Sequence, residues 1–191
     1  MTKVRVLLAD DHAVVRQGLN ALLSEHQDLE VVGQAADGLE AIRLAQELKP
    51  DVAVMDIGMP HVNGIEATRR ILKTNPQTRV LVLSQYEQKE YLLEVIDAGA
   101  SGYLLKRDAG ADLAEAIRAL ARWGAVLHPL AARMLIDAYV SCERTKIADS
   151  LEHLTDQTDL DAVHSSLERS YGSVLHMVHA LTDLQAEAPQ L

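Results

Sequence analysis

The chain has 191 residues, 48% hydrophobic, 24% charged and 3% aromatic, a composition that suits a soluble globular protein of one full domain plus an appendage. Its single cysteine, Cys142, excludes an internal disulfide and a multi-cysteine zinc site and fits a reducing compartment, with the cytoplasm as the default. A net charge of -10 opposes non-specific binding to nucleic acid or anionic lipid, so any basic patch has to be local.

The opening MTKVRVLLADDH runs from basic residues straight into acidic ones, unlike a signal peptide, and no apolar run approaches the roughly 18 residues of a membrane span. VRVLLA begins a series in which short apolar runs alternate with helical patterns. After it come VVRQGLNALLSEH, LEVVGQA, LEAIRLAQEL, DVAVMD, GIEATRRILKT, RVLVLS, KEYLLEVIDAGA, GYLLK and DLAEAIRALARW, which make five strand-helix units. The strand runs are nearly continuous in apolar residues, as they are when helices cover both faces of a parallel sheet, and the alternation predicts a doubly wound five-stranded α/β domain. In the first helix Val15, Leu19, Leu22 and Leu23 form one apolar stripe. Pro50 and Pro76 follow the second and third helices, and Gly99 closes the fourth.

This domain is assigned residues 1–124. Residues 125–149 read as a linker helix, begun near Pro129 and carried by Leu130, Met134, Leu135 and Ala138, followed by a polar linker. Residues 150–191 form an acidic tail in which Leu160, Val163, Leu167, Val174, Val178 and Leu181 predict two amphipathic helices broken near Gly172.

Ligands of open α/β sheets bind beyond the carboxyl ends of the strands. There the first strand ends in Asp10 and Asp11, the third in Asp56, the fourth in Ser84 and the fifth in Lys106. Three carboxylates brought together repel one another unless positive charge sits among them. A lysine and a hard divalent ion such as Mg²⁺, which takes oxygen ligands and keeps several waters, both meet that need.

LLADDH, VMDIGMPHVNG, VLVLSQY and GASGYLLK, in this order and spacing, resemble the receiver domain of two-component response regulators of the NarL/FixJ subfamily, over roughly residues 3–124. The resemblance implies a flavodoxin-like receiver with Asp56 as phosphoacceptor. It implies Mg²⁺ held by Asp10, Asp11, Asp56 and the Gly58 carbonyl, with Ser84 and Lys106 completing the site. Ser84 and Tyr103 are the implied switch residues, the tyrosine swinging inward as Ser84 moves towards the phosphoryl group. Gly58 and Tyr86 occupy the positions that tune acyl phosphate hydrolysis. The implied partner is a sensor histidine kinase, and the implied output is a protein contact or homodimer through the fourth-helix and fifth-strand face or the C-terminal helices. The chain is then a signalling switch and not an enzyme in the ordinary sense.

Each residue also has a plainer reading. Asp10 and Asp11 could be a helix cap, Lys106 and Ser84 ordinary strand-end residues, and Tyr103 a packing tyrosine. His12 suits the start of the first helix, and His176 with His179 suit a helix surface better than a zinc site, because no carboxylate or cysteine joins them at a clear spacing.

NarL/FixJ regulators usually continue into a LuxR-type helix-turn-helix. SLEHLTD resembles its start, but the remainder shows no recognition helix, and residues 143–191 carry 3 basic against 9 acidic groups, which makes DNA binding by the tail a poor hypothesis. A diverged helical output, an altered reading frame and a truncated chain all remain open. So do two other functions: a DNA-binding regulator, and a phosphate sink without output.

Overall fold

A computed structural model describes residues 3–85, 89–127, 131–137 and 140–141. Contacts between Cα atoms divide the chain into Met1–Leu135 and Ile136–Leu191. In the second unit the described residues, 136–137 and 140–141, are helical. The tail helices, Tyr86 and the His176/His179 pair lie outside the described residues.

In the first unit, strands and helices alternate as β1 (Val4–Ala9), α1 (Ala13–Ser24), β2 (Leu29–Ala35), α2 (Gly38–Leu48), β3 (Val52–Asp56), α3 (Gly64–Thr74), β4 (Arg79–Ser84), α4 (Lys89–Asp97), β5 (Gly102–Leu105) and α5 (Ala109–Trp123). A two-residue strand, β6 (Val126–Leu127), follows. All pairings are parallel and the order is β2-β1-β3-β4-β5-β6, so the chain winds outward in both directions from β1 and β3. The predicted doubly wound sheet is present, with β6 as an addition. Gly124, at φ 81°, ends α5 in the left-handed region and returns the chain to the sheet edge, where Val126 pairs with Gly102. The segment 125–149 therefore opens on a strand ahead of the helix expected from near Pro129, and helix is described from residue 131.

Successive strand residues point to opposite faces. On β1, Leu7 and Ala9 join one core with Met55, Val82, Ile71 and Leu92, while Val6 and Leu8 join the other with Leu83, Leu113, Ile117 and Leu120. Two buried faces explain why the strands read as unbroken apolar runs. Ala131 is buried in the first core, with Met134 and Leu135 packed against it. The α1 stripe is shorter than its spacing predicts: Leu23 is buried and Leu19 and Leu22 are partly so, but Val15 is exposed in the first turn, at the strand-tip end where the sheet gives no cover.

Local chemistry sets the helix ends. Asp37 accepts the Glu40 amide at 2.8 Å while the Glu40 carboxylate accepts the Ala36 amide at 2.9 Å, and Asn63 accepts the Glu66 amide at 2.9 Å. Gly99 follows α4 at φ 89°, as its position predicts.

Candidate functional site

The tips of β1, β3, β4 and β5 lie side by side at one end of the sheet, and the predicted residues project from them. Asp10 follows β1 and its amide still bonds to Ala35, which keeps the strand direction into the site. Asp56 and Ser84 are the last residues of β3 and β4. Lys106 follows β5, with its amide on the Ser84 carbonyl at 2.8 Å.

The structure brings these groups together. Lys106 Nζ lies 2.8 Å from both Asp10 Oδ2 and Asp56 Oδ2. Asp10 and Asp56 are almost fully buried, and Lys106 is mostly so. Ligand atoms of Asp10, Asp11, His12 and Asp56 all lie within 4.8 Å of one another. The Gly58 amide donates to the Asp56 carboxylate. A Cβ at Gly58 would meet nothing within 4 Å, so close packing does not require glycine there. Ser84 is fully buried and shares a hydrogen bond with the buried Tyr103 hydroxyl. The tyrosine thus already points inward, which differs from the resting position implied by a side chain that swings in later.

Backbone shape keeps the loop after Asp56 tight. A Cβ at Gly64 would fall 1.9 Å from the Asp56 carbonyl oxygen, so only glycine lets α3 start this close to β3. The Gly64 amide closes the turn on the Ile57 carbonyl at 3.0 Å.

The electrostatics follow from burial and pairing. Burial raises the Asp56 pKa above the ordinary carboxylate value, partly countered by hydrogen bonding and attraction from Lys106. Burial pulls Lys106 down, but its hydrogen bonds to Asp10 and Asp56 outweigh that and leave it raised. Burial also raises Tyr103. One lysine against three carboxylates leaves the pocket electron-rich. Asp11 Oδ1 is buried without a hydrogen-bond partner among the described residues. A carboxylate oxygen without a hydrogen bond, beside two more carboxylates, is the donor set a hard divalent ion takes, so the residues present fit such an ion.

Two contacts were not readable from the sequence. Lys106 bridges Asp10 as well as Asp56. His12 does occupy the N-cap of α1, but it makes no side-chain cap bond and its ring lies against the acidic pair, with Nδ1 2.7 Å from Asp11 Oδ1. Its place directly after Asp10 and Asp11 was the one signal available.

Residues 6–118 match the model of the response regulator receiver domain. The chain is 41% identical over 137 residues to the transcriptional regulatory protein DegU of Brevibacillus brevis, covering 72% of this chain and 58% of that one. It is 36% identical over 170 residues to the uncharacterized transcriptional regulatory protein YxjL of Bacillus subtilis, covering 89% and 77%. Among solved structures, a LuxR-family two-component response regulator from Aurantimonas sp. SI85-9A1 superposes with a TM-score of 0.68 at 36% identity, over 73% of this chain and 99% of that one. The chain belongs to the response regulator receiver domain family, as the strand-tip motifs imply. It spans about three fifths of the length of DegU. Among the described residues no helix is long and apolar enough to cross a membrane.

Proposed function

We propose that the chain is a cytoplasmic phosphoacceptor switch of a two-component system, charged on Asp56 by a sensor histidine kinase. The observation that carries this is the Lys106 ammonium shared at 2.8 Å between Asp10 and Asp56, beside an Asp11 oxygen that has no hydrogen-bond partner among the described residues. An Asp56 oxygen attacks the donor's phosphorus in line, the new O–P bond forms as the donor's bond to phosphorus breaks, and the donor leaves with that electron pair. Lys106 offsets charge on the transferring phosphoryl oxygens. Asp10, Asp11, Asp56 and the Gly58 carbonyl would hold Mg²⁺, which supplies further charge neutralisation at the same oxygens. The chain needs no general base, and its chemistry is limited to its own phosphorylation and slow dephosphorylation.

The acyl phosphate carries more charge and more acceptors than the carboxylate, so it competes with Tyr103 for the Ser84 hydroxyl. Loss of that bond shifts Tyr103 and alters the α4–β5 face, where Tyr91, Leu93 and Ile96 are exposed. This face or the C-terminal helices contact a protein partner or a second copy. In this reading residues 1–124 receive the phosphoryl group, 125–149 link, and 150–191 form an acidic output in place of a helix-turn-helix.

A DNA-binding reading draws support from the names of DegU and YxjL, both transcriptional regulatory proteins. The 9 acidic against 3 basic groups of residues 143–191 oppose it, and a gel shift at physiological salt separates the two. A phosphate sink would show phosphorylation with no change in self-association or partner binding.

The deciding experiment incubates the chain with Mg²⁺ and a small phosphodonor. The native chain takes up acid-stable phosphate and Asp56→Ala takes up none. Equal uptake by both, or by neither, overturns the assignment.

A further inference from the structure

We infer that the end of the sheet opposite the strand tips carries a docking surface, formed by Arg79, Arg122 and Trp123, for an acidic segment of a partner protein. None of these residues belongs to the strand-tip site, so the inference stands apart from the phosphoacceptor reading.

Arg79 opens β4 and Trp123 closes α5, which packs against β4 and runs back towards the amino-terminal ends of the strands. The left-handed turn at Gly124 brings the two together. A Cβ at Gly124 would lie 3.5, 3.6 and 3.7 Å from Nη2, Cζ and Nε of Arg79, so the guanidinium rests over bare backbone directly after the indole. Arg122 Cζ stands 5.4 Å from the centroid of the Trp123 ring, where cation–π attraction holds it. Two guanidinium groups and an indole therefore meet at one turn. Both arginines are exposed, and Trp123 is 55% exposed.

Among the described residues neither arginine has an ion pair or a hydrogen bond from its side chain. Acids at the same end are engaged elsewhere: Asp28 with Arg118, Asp51 with the Arg5 amide and Asp97 with Arg69. Glu30 stands on β2, three strands away from β4. Arginine and tryptophan anchor protein interfaces because one offers a planar fork matched to a carboxylate and the other a large rigid contact area. A partner that fits supplies carboxylates for the two forks and an apolar side chain for the ring. The net charge of -10 repels a long run of phosphates more than it repels a short acidic peptide, which favours the peptide. Docking here leaves the strand-tip pocket open to a phosphodonor.

Trp123 is the only tryptophan, so its fluorescence reports on this surface alone. The full chain is titrated with a short peptide of alternating glutamate and leucine, and with the same peptide carrying glutamine for glutamate. The glutamate peptide moves the emission to shorter wavelength, binds about tenfold more tightly than the glutamine peptide, and weakens with salt. Arg79→Gln combined with Arg122→Gln lowers its affinity about tenfold, whereas Arg43→Gln on α2 does not, and circular dichroism shows both variants folded. Equal binding of the two peptides, an emission that neither moves, or full affinity in the double variant overturns the inference. So does a shift produced by concentrating the chain alone, which would place a second copy on the surface, or one produced by a single-stranded oligonucleotide and not by the peptide.

Discussion

Asp56 shows how burial of an acid bears on stability. Burial raises its affinity for a proton on folding, so its charged form costs stability once the pH passes the folded pKa. Asp56→Asn therefore raises the melting temperature at neutral pH. The gain shrinks as the pH falls towards the ordinary carboxylate value of 3.8, where the native acid is neutral too; melting curves at pH 7 and pH 4 test this. The placement of Asp10, Asp56, Ser84 and Lys106 was readable from the sequence because each ends or directly follows a strand, and a parallel sheet puts all those ends on one side. The double contact of Lys106 and the placement of the His12 ring were not, because rotamers at a pocket mouth depend on neighbours from other strands. Tyr103 lies between these cases: its strand and its inward-facing core were readable, its existing bond to Ser84 was not.

At the level of elements, the start of α3 and the tie between α5 and the α1–β2 turn carry predictions of unequal size. Gly64→Ala drives a methyl group into the Asp56 carbonyl and costs about 2 kcal/mol by urea denaturation, while disturbing the loop after Asp56. Arg118 on α5 reaches Asp28 with Nε at 2.7 Å and a second nitrogen at 3.0 Å. Its hydrogen bond holds the Asp28 carboxyl down at about 2. Asp28 is half exposed, so Asp28→Asn costs less than about 1 kcal/mol at neutral pH. For this depressed acid the stabilisation is full above the unfolded value of 3.8 and is lost as the pH falls through about 2, so native and variant stabilities converge over that window. The five long strands and five helices were legible because each carries a run long enough to show its period. The strand β6 was not, since two residues hold no period and its pairing depends on the left-handed turn at Gly124.

Across the first unit, the sheet separates two cores, and the one on the α2, α3 and α4 side extends to residues 131–135. Leu135, with Val95, Ile96 and Tyr103, lines a cavity of about 190 Å³ beside β5. Leu135→Ala enlarges it and lowers stability by about 1 to 2 kcal/mol, read as a lower denaturation midpoint at unchanged slope. A changed slope would mean that residues 131–135 do not fold with the rest. Tyr103, which bonds Ser84, and Leu135 thus line one cavity, so a change at Ser84 reaches the lining that the segment 131–135 shares with only one side chain between.

The brevity of β6 also bears on behaviour in concentrated solution. A long open margin on a parallel sheet invites another molecule to add its own backbone there. Here Val126 and Leu127 cover part of β5 and leave a border only two residues long, too short to template a stack. Growth by strand addition is thereby disfavoured at this margin, whereas the opposite margin is the seven-residue strand β2.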